Sequence, residues 1–94
     1  MREYEIVYVL NPDLSDDDRA AKVDRIHSLI TDNGGEIGKT DDWGKRVLAY
    51  EIQHNTSGYY GLAEFRLAPS AVKTMEDRLN IDEEILRHQI VARS

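Results

Sequence analysis

Apolar side chains recur at every second position over Tyr4–Leu10, placing Tyr4, Ile6, Tyr8 and Leu10 on one side and Glu3 and Glu5 on the other. A period of two predicts a half-buried strand, and Asn11-Pro12 ends it. The period then changes. Val23, Ile26, Leu29 and Ile30 fall on one face of a helix predicted from Ser15 to about Asn33. Ser15 suits the N-cap, Asp16, Asp17 and Asp18 suit the first turn and its dipole, and Gly34-Gly35 suits the stop.

A second strand opens at Glu36–Thr40, is interrupted around Asp41–Gly44, and resumes over Lys45–Ile52, where Leu48, Tyr50 and Ile52 share a face. One long strand with a bulge or bend accounts for the interruption. Gln53–Gly58 reads as the turn of a hairpin whose third strand is Tyr59–Leu67. Pro69 and Ser70 begin a second helix with Val72, Met75 and Leu79 as its stripe. Ile81 is expected to pack behind that helix, and Ile85–Arg93 forms a fourth strand.

The order βαββαβ is the split βαβ arrangement: an α+β, ferredoxin-like fold of one four-stranded antiparallel sheet with two helices on one face. The handedness of crossovers puts strands one and three in the centre and gives the order four-one-three-two. The helices should cover Tyr4, Ile6, Tyr8 and Leu10, then Ala63, Phe65 and Leu67, then Leu86, His88 and Ile90. The open face should carry Val7, Tyr60, Leu62, Glu64, Arg66, Arg87, Gln89, Val91 and Arg93. Residues 1–94 are read as a single domain with no linker or repeat.

Charge changes this picture. The chain has 32% charged and 40% hydrophobic residues and a net charge of −6, with a pI of about 4.9. Nonspecific affinity for nucleic acid comes from neutralising phosphates, so a strong autonomous binder is excluded. Sign segregation keeps a one-sided contact open. Asp13, Asp16, Asp17, Asp18 and Asp24 crowd the first helix and its approach, and Asp82, Glu83 and Glu84 a later turn. Arg2, Lys45, Arg46, Arg66, Arg87 and Arg93 lie in or beside strands. Such a protein would touch RNA with one side, helped by a basic partner. The absence of cysteine fits a reducing, cytoplasmic compartment. A strand pattern within four residues of the N-terminus predicts no signal peptide.

The stretch Asp42-Trp43-Gly44-Lys45-Arg46-Val47-Leu48-Ala49-Tyr50 carries more than a strand pattern. Together with Met1-Arg2-x-Tyr4-Glu5-Ile6, Leu10-Asn11-Pro12 and Ile85-x-Arg87, it resembles the bacterial small-subunit ribosomal protein S6 family over the whole chain. Glu51 departs from that pattern, which often has proline after Leu-Ala-Tyr. The resemblance implies a structural constituent of the small ribosomal subunit. It would bind the central domain of 16S rRNA as a heterodimer with the basic ribosomal protein S18, supporting assembly and translation. The family points to RNA for Lys45, Arg46 and Arg87, while Arg2 and Arg93 follow mainly from topology. Because strand two is an edge far from strand four, two contact patches are expected. Tyr60 and Leu62 on the open face are the candidate partner-protein contacts.

Other classes find less support. His27, His54 and His88 are scattered, with no metal-ligand spacing, and no glycine-rich loop opens a helix to hold phosphate. No cofactor, metal, membrane or small-molecule substrate is expected. His88 falls on the covered face near its rim. Trp43 is expected to cap a small core at the hairpin bend. The strand-three motif of RNA-recognition domains is poorly matched, since Gly61 stands where a second stacking ring belongs. The remaining alternatives are a small regulatory or ligand-binding domain that oligomerises through an edge strand, and an acylphosphatase-like hydrolase, for which no anion-binding loop is present.

Overall fold

A computed structural model describes residues 1–93. The elements are β1 (Arg2–Leu10), α1 (Asp16–Thr31), β2 (Glu36–Ile52), β3 (Asn55–Leu67), α2 (Pro69–Asn80) and β4 (Ile85–Arg93). All strand pairings are antiparallel, and the sheet order is β2-β3-β1-β4. This is the predicted α+β arrangement.

The alternation of β1 decides the two faces. Tyr4, Ile6, Tyr8 and Leu10 are buried with Ala63, Phe65 and Leu67 of β3. Ile26 and Ile30 of α1 and Met75 and Leu79 of α2 close over them. Complete burial of such a side chain stabilises the fold by about 1.5–3 kcal/mol. The Ser15 hydroxyl accepts from the Asp18 N–H at 3.1 Å, as an N-cap should. At the other end Gly34 takes φ +83° and the Gly35 N–H donates to the Ile30 carbonyl at 2.9 Å. No helix among the described residues is long and apolar enough to cross a membrane.

Three details depart from the sequence pattern. The hairpin turn is only Gln53-His54, with φ 49° and 66°, so β3 begins at Asn55 instead of Tyr59. A two-residue primed turn matches the twist of its strands, which outweighs two non-glycine residues at positive φ. Ile81 does not pack behind α2; it caps the helix and is 72% exposed. Leu86, expected inward, lies on the open face. Val9 pairs with Arg87 and Leu10 with Ile85, so β4 carries an extra residue there. That bulge puts Ile85 in the main core and Leu86 in a second one. As the sequence pattern predicts, β2 is one long strand with irregularities: it pairs through Asp41 and Asp42, with register shifts between Ile37 and Thr40 and between Asp42 and Gly44.

A further irregularity of β2 shapes the open face. Val47 pairs with Ser57 and Ile52 with Asn55, so five steps along β2 answer two along β3. The excess chain arches. Leu48 drops onto Val9 and Leu86 to form the second core, with Ile52 and Tyr60 at its margin.

Candidate nucleic-acid interface

The second core occupies one end of the open face, and charged side chains stand around it. Register fixes their sides, because residues paired across a ladder project from the same face. Arg46 pairs with Gly58, which lies on the open face against Val9. Lys45 pairs with Tyr59, and its ammonium is 5.8 Å from that ring's centre on the helix side. The Lys45-Arg46 pair is therefore split across the sheet, Arg46 open-faced and Lys45 beside Arg19, which lies 4.3 Å over the same tyrosine.

Arg46 is held at its root: Nε donates to the Trp43 carbonyl at 3.3 Å. Trp43 is the extra residue between Asp42 and Gly44, and it stacks on Tyr60 at 6.5 Å with 18° between the planes. Its indole N–H donates to Asp41 Oδ2 at 3.0 Å. Trp43 is 38% exposed and is not a member of the small core, which it meets only through its stack on Tyr60. Tyr60 and Leu62, the expected partner contacts, are half-buried. Leu62 lies between Val7 on β1 and Asp41 on β2.

Arg87 stands on the facing edge, opposite Val9. Its Nη1 donates to the Tyr50 hydroxyl, and its guanidinium lies 5.9 Å from the Tyr50 ring centre. Tyr50 belongs to β2, and two strands, β3 and β1, lie between β2 and β4 in the sheet order. The arch of β2 spans that gap. The expectation of separate patches on β2 and β4 is thereby corrected: Arg46 and Arg87 flank one apolar cluster. Sequence periodicity could not show this, because the contact depends on a register excess that alternation conceals.

Arg93 and Arg2 stand elsewhere. Six residues of β4, about 20 Å, separate Arg93 from Arg87. Arg93 pairs with Glu3 and bonds Glu64 Oε1 through Nη1 at 2.6 Å. Glu5 and the loose pair Arg66–Glu36, at 4.0 Å, fill out that end. Arg2 is exposed and shares the helix-side alternation of Tyr4 and Ile6.

Two glycines permit the close approach of strands and rings here. A Cβ on Gly58 would stand 2.4 Å from Val9 Cγ1, and one on Gly61 would stand 2.3 Å from the Tyr8 hydroxyl. Gly61 therefore admits the Tyr8 ring, a role its sequence context did not disclose. Burial, with Asp42 nearby, raises the pKa of that hydroxyl above 10.0. Tyr8, Val23, His27 and Tyr59 bound a cleft of about 120 Å³ beside α1, and the Arg19–Asp42 ion pair at 3.2 Å stands at its side. His88 is half-buried near the sheet rim and the side chain of His54 is 99% exposed. Among the described residues no group of three or more His, Cys, Asp or Glu side chains is placed to hold a metal.

A description of the ribosomal protein S6 family matches residues 3–92. The chain belongs to the ribosomal protein S6 family. Among curated relatives, the small ribosomal subunit protein bS6 of Caldanaerobacter subterraneus subsp. tengcongensis is 43% identical, over 97% of this chain and 96% of its own. The bS6 protein of Moorella thermoacetica is 40% identical, over 96% and 92%. The crystal structure of the 30S ribosomal protein S6 from Thermotoga maritima superposes with a TM-score of 0.93 at 29% identity, covering 98% of this chain and 87% of that one. In this S6-family chain, the block from Asp42 to Tyr50 builds the projecting end of β2 together with its arch.

Proposed function

We propose that this chain is a structural component of the small ribosomal subunit in the bacterial cytoplasm, folding as one domain over residues 1–94. It binds the central domain of 16S rRNA together with ribosomal protein S18. Membership of the S6 family along nearly the whole chain supports the ribosomal role. The observation that supports the RNA contact is the convergence of Arg46 and Arg87 on one apolar cluster of the open face; Lys45, on the helix side beside Tyr59, would reach RNA only around the sheet edge. Arginine on an exposed edge grips phosphate without reading sequence. The net charge of −6 opposes binding by the isolated chain and favours a basic companion. Tyr60 and Leu62 on the open face receive that companion; Arg2 and Arg93 form a second, weaker RNA patch, Arg93 only after release from Glu64.

The test is sedimentation of tagged protein from a bacterial lysate at low salt, followed by binding of a central-domain 16S fragment with and without S18. Co-migration with the small subunit and tight binding only with S18 are expected. Migration at the top of the gradient, or tight RNA binding by the isolated chain at moderate salt, contradicts the proposal.

A further inference from the structure

Arg87 is poorly supported by its own strand. It is exposed on an edge, directly after the bulge at Leu86. A free arginine there would lose its rotamer freedom on gripping a phosphate, at a cost to affinity. Tyr50 changes that. Its hydroxyl accepts from Nη1, and its ring lies against the guanidinium. Neither residue is buried, Tyr50 being 61% exposed, so the contact contributes little to the main core. A guanidinium carries five N–H donors, and the hydroxyl takes only one bond. The rest remain free for a bidentate grip on phosphate oxygens.

The chain goes out of its way to make this contact. An edge strand paired regularly with β3 would keep Tyr50 separated from β4 by the two central strands. The excess of β2 residues between Val47 and Ile52 carries Tyr50 across the end of the sheet. Leu48 anchors the base of that arch in the second core, 8% exposed. On the other flank Arg46 is held by the Trp43 carbonyl. Both guanidinium groups that flank the cluster are thus restrained before any RNA arrives.

We infer that Tyr50 is a positioning residue for RNA binding: through its hydroxyl it holds the Arg87 guanidinium in the orientation that receives a phosphate. This inference rests on the RNA-binding reading above.

The experiment uses the full chain with S18 and a central-domain 16S fragment, comparing wild type, Tyr50→Phe, Arg87→Gln and the double variant at several salt concentrations. The order parameter of the Arg87 Nε–H is measured by NMR in the free protein. Tyr50→Phe keeps the ring and removes the acceptor. The expected result is a loss of about three- to tenfold in affinity, the order associated with ordering one long side chain on binding. The salt slope stays at its wild-type value, because the phosphate contact is still made. The Arg87 order parameter falls, and adding Tyr50→Phe to Arg87→Gln costs nothing more. Wild-type affinity in Tyr50→Phe, an unchanged order parameter, or losses that multiply in the double variant overturn the inference. If Arg87→Gln itself leaves affinity and slope unchanged, the RNA role of Arg87 falls first and takes the positioning role with it.

Discussion

The Lys22 ammonium on α1 lies 2.7 Å from an Asp82 carboxylate oxygen in the α2–β4 turn, sixty residues away. Glu84 adds a second contact at 3.0 Å. The Lys22 and Asp82 side chains are 14% and 15% exposed, so water screens the pair only partly. The acidic turn, which the sequence shows only as a crowding of carboxylates, is one side of a clasp between the first helix and the second half of the fold.

Removing that clasp by Lys22→Met is expected to cost about 1–2 kcal/mol, between the values for exposed and buried pairs. Burial works against the Lys22 ammonium, but the hydrogen bonds and charges of Asp82 and Glu84 outweigh it and raise its pKa above 10.5. A raised folded-state pKa gives a contribution that is complete below the unfolded value and lost as pH climbs through the folded one. Urea unfolding of both proteins should show the full gap near neutrality and a gap that narrows as the pH climbs past 10.5. A gap that does not change with pH would remove Lys22 from the account.

Gly58→Ala should destabilise the protein by about 1–3 kcal/mol, as overpacking does in a well-filled core. The new methyl would meet Val9 Cγ1 at 2.4 Å and the Leu10 carbonyl oxygen at 3.2 Å. In a Val9→Ala background the cost should shrink, because the nearer obstacle is gone. Equal costs in both backgrounds, measured by thermal unfolding, would mean that the second core is not packed as described.

The turn at Gln53-His54 holds two non-glycine residues at positive φ. Asn-Gly suits such a turn far better. Replacing the pair by Gln53→Asn with His54→Gly should raise stability by about 1 kcal/mol, since left-handed backbone is costly for ordinary side chains. A fall in melting temperature would contradict this geometry.

Most of the fold was legible from periodicity alone. Tyr4, Ile6, Tyr8 and Leu10 predict a one-sided strand, and Val23, Ile26 and Ile30 predict the helix that covers it. Both readings survive because burial on one face enforces the period. The bulge of β2 near Asp41–Gly44 was visible in its turn residues; the other places where the count of residues on paired strands differs escaped. Leu86 changes face because β4 has one residue more than β1 at that point, and alternation cannot register an insertion. The same reason hid the approach of Tyr50 to Arg87. Ile81 misled differently: its apolar side chain suggested burial, but the helix ends there and turns it outward. The residue types of the candidate interface were visible as Lys45, Arg46 and Arg87; their placement on the faces of the sheet was not, and Arg93 gave no sign of its tie to Glu64.

The central claim is that Arg46 and Arg87, on opposite edges of the sheet, meet the same RNA. It is tested most directly by titrating a central-domain 16S fragment with S18 present, across salt concentrations, for wild type, Arg46→Gln, Arg87→Gln and the double variant. Each single replacement should weaken binding and lower the salt slope by roughly one unit, the double by roughly two. Melting temperatures should barely move, because exposed charges contribute about 0–1 kcal/mol. An unchanged slope in either single variant, or a loss of binding that tracks a loss of folding, would contradict the claim.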